Sequence, residues 1–189
     1  NAFPKKVDCL TLLIYDSGGN YVGMRTVTGP ELQDETYRMQ LDLEPGRYRF
    51  IAYGGMACDE RSFAFVQPAP GKGVKLEETT VIMDADLTTS VREKLRLHDL
   101  FWGSLTLDLY NEGTVEMMKN TNNIRIVLQQ MNGEPVKDKD FDFSITDDNT
   151  LFAASNNDLL PNGTVTYTPW AQGQASTGIT DDGQEVIVA

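Results

Sequence analysis

The chain has 189 residues, 40% of them apolar and 23% charged, with a mean hydropathy of −0.34. That composition excludes a disordered polyelectrolyte, and the lack of any run of 18 apolar residues excludes a helical membrane span. Net charge is −12: residues 1–97 carry 12 basic and 14 acidic side chains, and residues 98–189 carry 4 and 14. A second half at −10 repels phosphate backbones, so nucleic acid is not an expected partner.

The opening NAFPKK has neither the apolar core nor the cleavage site of a signal peptide. Either a cytosolic chain or one whose leader has been removed is consistent with it. From residue 7 onward, period two dominates. In VDCLTLLIYD, Leu10, Leu12 and Ile14 line one apolar face and Leu13 the other. SGGN at 17–20 supplies turn chemistry, and YVGMRTV reads as the returning strand of a hairpin. TYRMQLDL at 36–43 places Met39, Leu41 and Leu43 on one face. Pro45-Gly46 then reverses the chain, because Pro pre-sets φ and Gly takes the unusual angle. In RYRFIAYGG the Tyr48–Phe50–Ala52 face is expected to pack inward and the arginines to be wet. SFAFVQ (62–67) and TTVIMDA (79–85) complete six or seven short strands. Such a series, each strand bounded by a turn, is the pattern of an antiparallel sandwich.

DLTTSVREKLRLHDL at 86–100 breaks the rhythm. Leu87, Val91 and Leu95 are spaced by four, and Ser90 with Glu93 fits a capping box, so a short helical connection is expected. The charge changes at the same place. The expected organisation is therefore an N-terminal sandwich over 1–86, a linker over 87–99 and a second sandwich over 100–189. In the second half LFWGSLTLDLY alternates Phe101, Leu105, Leu107 and Leu109 against Trp102, Thr106 and Tyr110. NNIRIVLQQM alternates Ile124, Ile126 and Leu128 against Arg125 and Val127. FDFSIT, TVTYTPW and a terminal EVIVA (185–189) follow. Five strands are few for a closed sandwich, and a bare apolar strand rarely ends a domain. The expectation is a second domain incomplete at its C-terminus.

Catalytic and metal signatures are sparse. His98, the single histidine, cannot build a multi-histidine metal site and is read as a linker residue. Cys9 and Cys58 have no zinc or thioredoxin spacing. They read as two packed thiols, with a disulfide if their strands are neighbours. Asp147, Asp148, Asn149, Asn156, Asn157 and Asp158 offer oxygen ligands without EF-hand spacing and read as turn formers. Trp102 and Trp170 are the candidate sugar-stacking aromatics, although each sits in a strand pattern that favours packing. Among 28 acidic residues some carboxylate pair is always to hand, which makes that signal nearly empty. No cofactor is expected.

LTLLIYDSGGNYVG, LDLEPGRYRFIAYGG, HDLFWGSLTLDL and VEMMKNTNNIRIVLQQMNG occur in this order along the chain. Together they resemble the fimbrillin-associated anchor proteins of Bacteroidales-type bacteria, the FimB-like fimbrial anchors. The resemblance runs across nearly the whole chain. It implies two tandem transthyretin-like antiparallel β-sandwiches, the second incomplete, in a non-enzymatic outer membrane lipoprotein of a Gram-negative anaerobe-type bacterium. The implied role is structural: a cell-surface anchor or accessory subunit in cell adhesion and pilus assembly. The implied partners are a fimbrial subunit, joined through strand addition, and the outer membrane, reached through an N-terminal lipid upstream of residue 1. Ile124, Ile126, Leu128, Val186, Ile187 and Val188 are the candidate strand or groove for that assembly. The alternative is a carbohydrate-binding surface lipoprotein using Trp102 or Trp170; a carboxylate hydrolase is a third class.

Overall fold

The computed structural model describes residues 7–84, 97–108, 111–179 and 185–188. All of its regular structure is strand and short 3-10 turn, and every strand pair is antiparallel. A five-stranded sheet runs in the order β2 (Tyr21–Thr28), β1 (Cys9–Asp16), β3 (Arg47–Gly54), β6 (Phe101–Asp108), β7 (Met117–Lys119). Facing it is a four-stranded sheet, β10 (Leu159–Leu160), β9 (Leu151–Ala153), β5 (Thr80–Met83), β4 (Phe63–Phe65). Two further ribbons pair β8 (Ile145–Asp147) with β11 (Val165–Tyr167), and β12 (Ala175–Ile179) with β13 (Glu185–Val188).

The central strands are apolar on both faces because the larger sheet is covered on both sides. Leu13, Tyr15, Ile51 and Tyr53 point toward the smaller sheet and pack with Phe63, Leu76, Val81 and Phe152. Leu12, Ile14, Tyr48, Phe50 and Ala52 point the other way and are covered by Met39, Leu41, Leu43, Val115 and Met117. The expectation of one inward and one wet face on β3 is thus corrected. Ile51 and Tyr53 are fully buried, and of the arginines only Arg47 is wet. Arg49 is half-buried and donates to the Ser155 carbonyl.

The Pro45-Gly46 turn explains the tyrosine that follows it. Tyr48 folds back so that its hydroxyl donates to the Glu44 carbonyl at 2.7 Å, tying the strand to its own turn. Gly55 closes β3 at φ 95°, where a side chain would run into the Asp99 carbonyl; no other residue type fits both demands.

Residues 36–43 behave differently from the expected strand. Tyr37, Met39, Leu41 and Leu43 alternate half-buried against exposed neighbours, yet the segment carries no ladder pairing. It lies as a strap over the outer face, and an exposed Arg38–Glu112 ion pair at 2.6 Å ties it to residues 111–117.

Strands from either side of the expected linker share both sheets. β6 pairs with β3 along its whole length, from Gly54↔Phe101 to Arg47↔Asp108. β9 pairs with β5 through Thr80↔Ala153 and Ile82↔Leu151. The expected boundary at 87–99 is therefore not a boundary between sheets. The helical connection expected there falls largely on 85–96, outside the described residues.

Cys9 and Cys58 form a disulfide with a Cα–Cα distance of 5.2 Å, so the packed-thiol expectation gives way. The antiparallel β1–β3 register brings them together: Leu10 pairs with Gly54, and the chain leaving β3 folds back over the start of β1. EVIVA, expected as a bare terminal strand, also has a partner, with Ile187 opposite Ser176 and Val188 opposite Ala175.

Candidate functional site

The expected assembly segment starts from a fixed root. Lys119 pairs with Asp99 at 2.9 Å, with both side chains mostly buried, and Thr121 donates to the same Asp99 oxygen at 2.9 Å. The Asn120 backbone N–H donates to the Leu100 carbonyl at 2.8 Å. The side-chain amides of Asn120 and Asn157 bond reciprocally at 2.7 and 2.9 Å. Asn157 adopts φ 64°, a left-handed conformation that Asn tolerates better than most residues. This polar knot fixes where residue 122 leaves the sandwich.

From there the chain exposes an apolar stretch. Ile124 is 67% exposed and Ile126 46%, Val127 is exposed and Leu128 half-buried. Among the described residues, 122–129 have no ladder partner and no backbone hydrogen bond. An apolar extended segment with unpaired N–H and C=O groups is a template for another strand, since one extended partner satisfies the backbone and covers the side chains together. Val186, Ile187 and Val188 lie in β13, whose ladder is with β12. No ladder among the described residues joins them to 124–128, so the six candidates do not form one strand pair.

The two tryptophans separate. Trp102 is half-buried against the inter-sheet core and its indole N–H donates to the Ala154 carbonyl at 3.0 Å. Trp170 is 48% exposed. His98 is half-buried, with Nε2 3.2 Å from a Glu60 carboxylate oxygen and its backbone N–H donating to the Ser62 hydroxyl. It ties the connection to the sandwich, as a linker residue would.

The turn-forming reading of 147–162 is visible in its bonds. Asn149 donates to Asp147 at 3.0 Å, the Asn162 backbone to Asp148 at 3.0 Å, and Tyr167 to Asn149 at 2.5 Å. These oxygens are engaged by neighbouring donors. A cleft of about 190 Å³ opens beside the 17–20 turn, lined by Asp16, Arg47, Arg49, Glu77 and Thr106. The Asn20 side chain and the Asn20 and Gly18 backbone N–H groups hold the Asp16 carboxyl below the usual carboxylate range. A carboxyl so held is the opposite of the raised-pKa acid that glycoside hydrolysis needs.

The strands that sequence reasoning missed are β9, β10 and β12. Each has five residues or fewer, and β9 and β10 lie inside TDDNTLFAASNNDLLPNG, where polar turn residues hide the Leu-Phe signal.

Comparison with known proteins gives a consistent assignment. A family model for fimbrillin-A associated anchor proteins Mfa1 and Mfa2 matches residues 1–188. A solved candidate adhesin from Bacteroides thetaiotaomicron shares 64% identity at a TM-score of 0.91, covering 100% of this chain and 63% of that one. A candidate polysaccharide-binding protein from the same organism shares 21% identity at a TM-score of 0.71, covering 99% of this chain and 64% of that one. The fimbrial anchor protein Mfa2 from Porphyromonas gingivalis shares 12% identity at a TM-score of 0.65, with coverages of 98% and 65%. The two distant matches speak to the fold alone. The chain spans less than two thirds of the length of each of these structures. Among curated proteins no sequence matches.

Proposed function

The chain belongs to the fimbrillin-A associated anchor protein family, and from that premise we propose that it is part of a cell-surface fimbrial anchor or accessory subunit that assembles by strand addition. The observation that carries this reading is the segment 122–129, apolar, exposed and without backbone partners among the described residues. The family is structural rather than enzymatic, and its members associate with fimbriae. In this reading an extended segment of a fimbrial subunit aligns with Ile124, Ile126 and Leu128. Backbone pairing supplies affinity and alternate side chains set the register. Membrane attachment through an N-terminal lipid, and a transthyretin-like order for two sandwiches, belong to the same proposal. The first sandwich then draws on both sides of the linker, and the second begins with 122–131 and the two ribbons.

The test is hydrogen exchange on the protein with and without a purified fimbrial subunit of its own bacterium. Amides of 122–129 are expected to gain protection, and I124D/I126D is expected to weaken capture by about tenfold or more, since each buried aliphatic side chain contributes roughly 1.5–3 kcal/mol. Capture with those amides still exchanging freely would place the contact elsewhere. A second reading, glycan binding, now rests on Trp170. It predicts saturable quenching of tryptophan fluorescence by oligosaccharide that W170A abolishes.

A further inference from the structure

Two asparagine–glycine pairs occur in the sequence, Asn132-Gly133 and Asn162-Gly163. An asparagine before glycine is prone to lose its side-chain amide, because no side chain keeps the glycine nitrogen away from the asparagine Cγ. The sequence gives the two pairs equal standing, and the fold does not. Asn132 is exposed, and its Oδ1 accepts from the Glu134 backbone N–H at 3.1 Å. That bond curls the side chain over Gly133 and stabilises negative charge developing on Oδ1. The Asn132 amide nitrogen has no hydrogen bond among the described residues, and the Gly133 N–H donates at 3.2 Å to the carbonyl of the exposed Gln130. Asn162 is exposed as well, so hydrogen bonding separates the two and exposure does not. Its Nδ2 donates to the Thr150 hydroxyl at 2.9 Å, and its backbone N–H to an Asp148 oxygen at 3.0 Å. Thr150 is buried at the start of β9, so the amide that would have to leave is tied to the sandwich.

We propose that Asn132 is a site of spontaneous deamidation and that the fold protects Asn162 from the same reaction. The Gly133 nitrogen bonds to the Asn132 Cγ, the Cγ–Nδ2 bond breaks, and ammonia leaves with the former Gly133 N–H proton. Water then opens the succinimide ring at either carbonyl, giving aspartate or isoaspartate at position 132. The balance is one water taken up and one ammonia released, with nothing oxidised or reduced. The product carries a negative charge where the exposed stretch 122–131 ends, and in isoaspartate the backbone is longer by a methylene. At Asn162 the same attack requires the side chain to turn, which breaks the bond to Thr150 and leaves a buried hydroxyl without its donor.

The full chain is incubated in mildly alkaline buffer, with and without urea at a denaturing concentration, and digested at acid pH at intervals. Peptide mass spectrometry then follows conversion at positions 132 and 162 separately. In the folded protein, position 132 is expected to convert at least about fivefold faster than position 162, the factor that two ordinary hydrogen bonds supply between them. In urea the two rates are expected to converge. N132Q is expected to remove the early product. T150V, which keeps the shape of the buried side chain and deletes its hydroxyl, is expected to speed conversion at position 162 and leave position 132 unchanged. Should T150V lose its cooperative melt, the comparison of native and urea rates in the parent chain decides alone. Equal rates in the folded protein would overturn the proposal. So would a difference that persists in urea, which would assign it to sequence neighbours, or a folded T150V that converts at position 162 no faster than the parent.

Discussion

At the scale of single residues, two buried tyrosines show how differently one hydroxyl can be accommodated. Tyr15 is fully buried and its hydroxyl meets the Thr79 hydroxyl at 3.0 Å. Tyr53 is equally buried, packs edge-on against Phe65 at 5.8 Å, and its hydroxyl has no hydrogen-bond partner among the described residues. An unpaired buried hydroxyl costs about 1–3 kcal/mol, so its removal is favourable. Tyr53→Phe is expected to match or exceed the parent in urea melts, by up to about 1–2 kcal/mol, whereas Tyr15→Phe loses about 1 kcal/mol. The same burial raises the pKa of both hydroxyls, most for Tyr53. The fold therefore holds these protons more tightly than the unfolded chain does. Their contribution is intact below the unfolded tyrosine value of about 10 and is lost as pH rises above it. Stability is expected to fall above roughly pH 10, and Tyr15→Phe/Tyr53→Phe to flatten that decline when melts are repeated from pH 8 to 11.5.

At the scale of elements, the hairpin β9–β10 closes the smaller sheet with only five residues. Its hold comes from Phe152 in the core against Phe63, from the Ala154 N–H donating to Thr79, and from the Ala154 and Ser155 carbonyls taken by Trp102 and Arg49. Phe152→Ala is expected to cost about 3–5 kcal/mol, the range for a buried aromatic, measured by chemical denaturation. Tyr167→Phe, outside this hairpin, serves as the mild comparison. These elements also mark the limit of what sequence reveals. β1 and β3 were legible because long alternation on both faces leaves no other reading. β9 was hidden because three residues carry too little periodicity to stand out in a polar loop. Residues 36–43 and 122–131 have the pattern of strands, and their side chains do alternate or stand exposed as extended chain does. Neither has a ladder, because period two reports which side chains are buried and says nothing about where the backbone N–H groups go. The candidate segment at 122–129 was legible as apolar; its lack of a partner was not. The disulfide was undecidable for a related reason: two cysteines 49 residues apart are joined by the β1–β3 register, a tertiary fact.

At the scale of the whole molecule, the charge step and the loss of period two at 86–100 pointed to two successive units, while the hydrogen bonds point to interleaving. β6 supplies the larger sheet with its fourth strand, and Leu100 and Phe152 fill the core between sheets. A chain ending at residue 86 would strip β3 of its neighbour along eight paired residues and leave β5 as an open edge against solvent. It would also uncover Ile51, Tyr53 and Val81, each fully buried in the intact chain. Exposed apolar edges of that kind aggregate or unfold. A fragment of residues 1–86 is therefore expected to show no cooperative melt and little β circular dichroism, whereas a fragment of residues 1–162 is expected to melt in one transition. Independent two-state folding of the 1–86 fragment would mean that the shared sheets are a docked addition to a complete domain. Its failure, together with a cooperative longer fragment, would locate the folding unit where the ladders run, across the charge boundary. The segment proposed for assembly, residues 122–129, would then be an extended stretch rooted by Lys119, Asp99 and Asn157 on the flank of a finished sandwich.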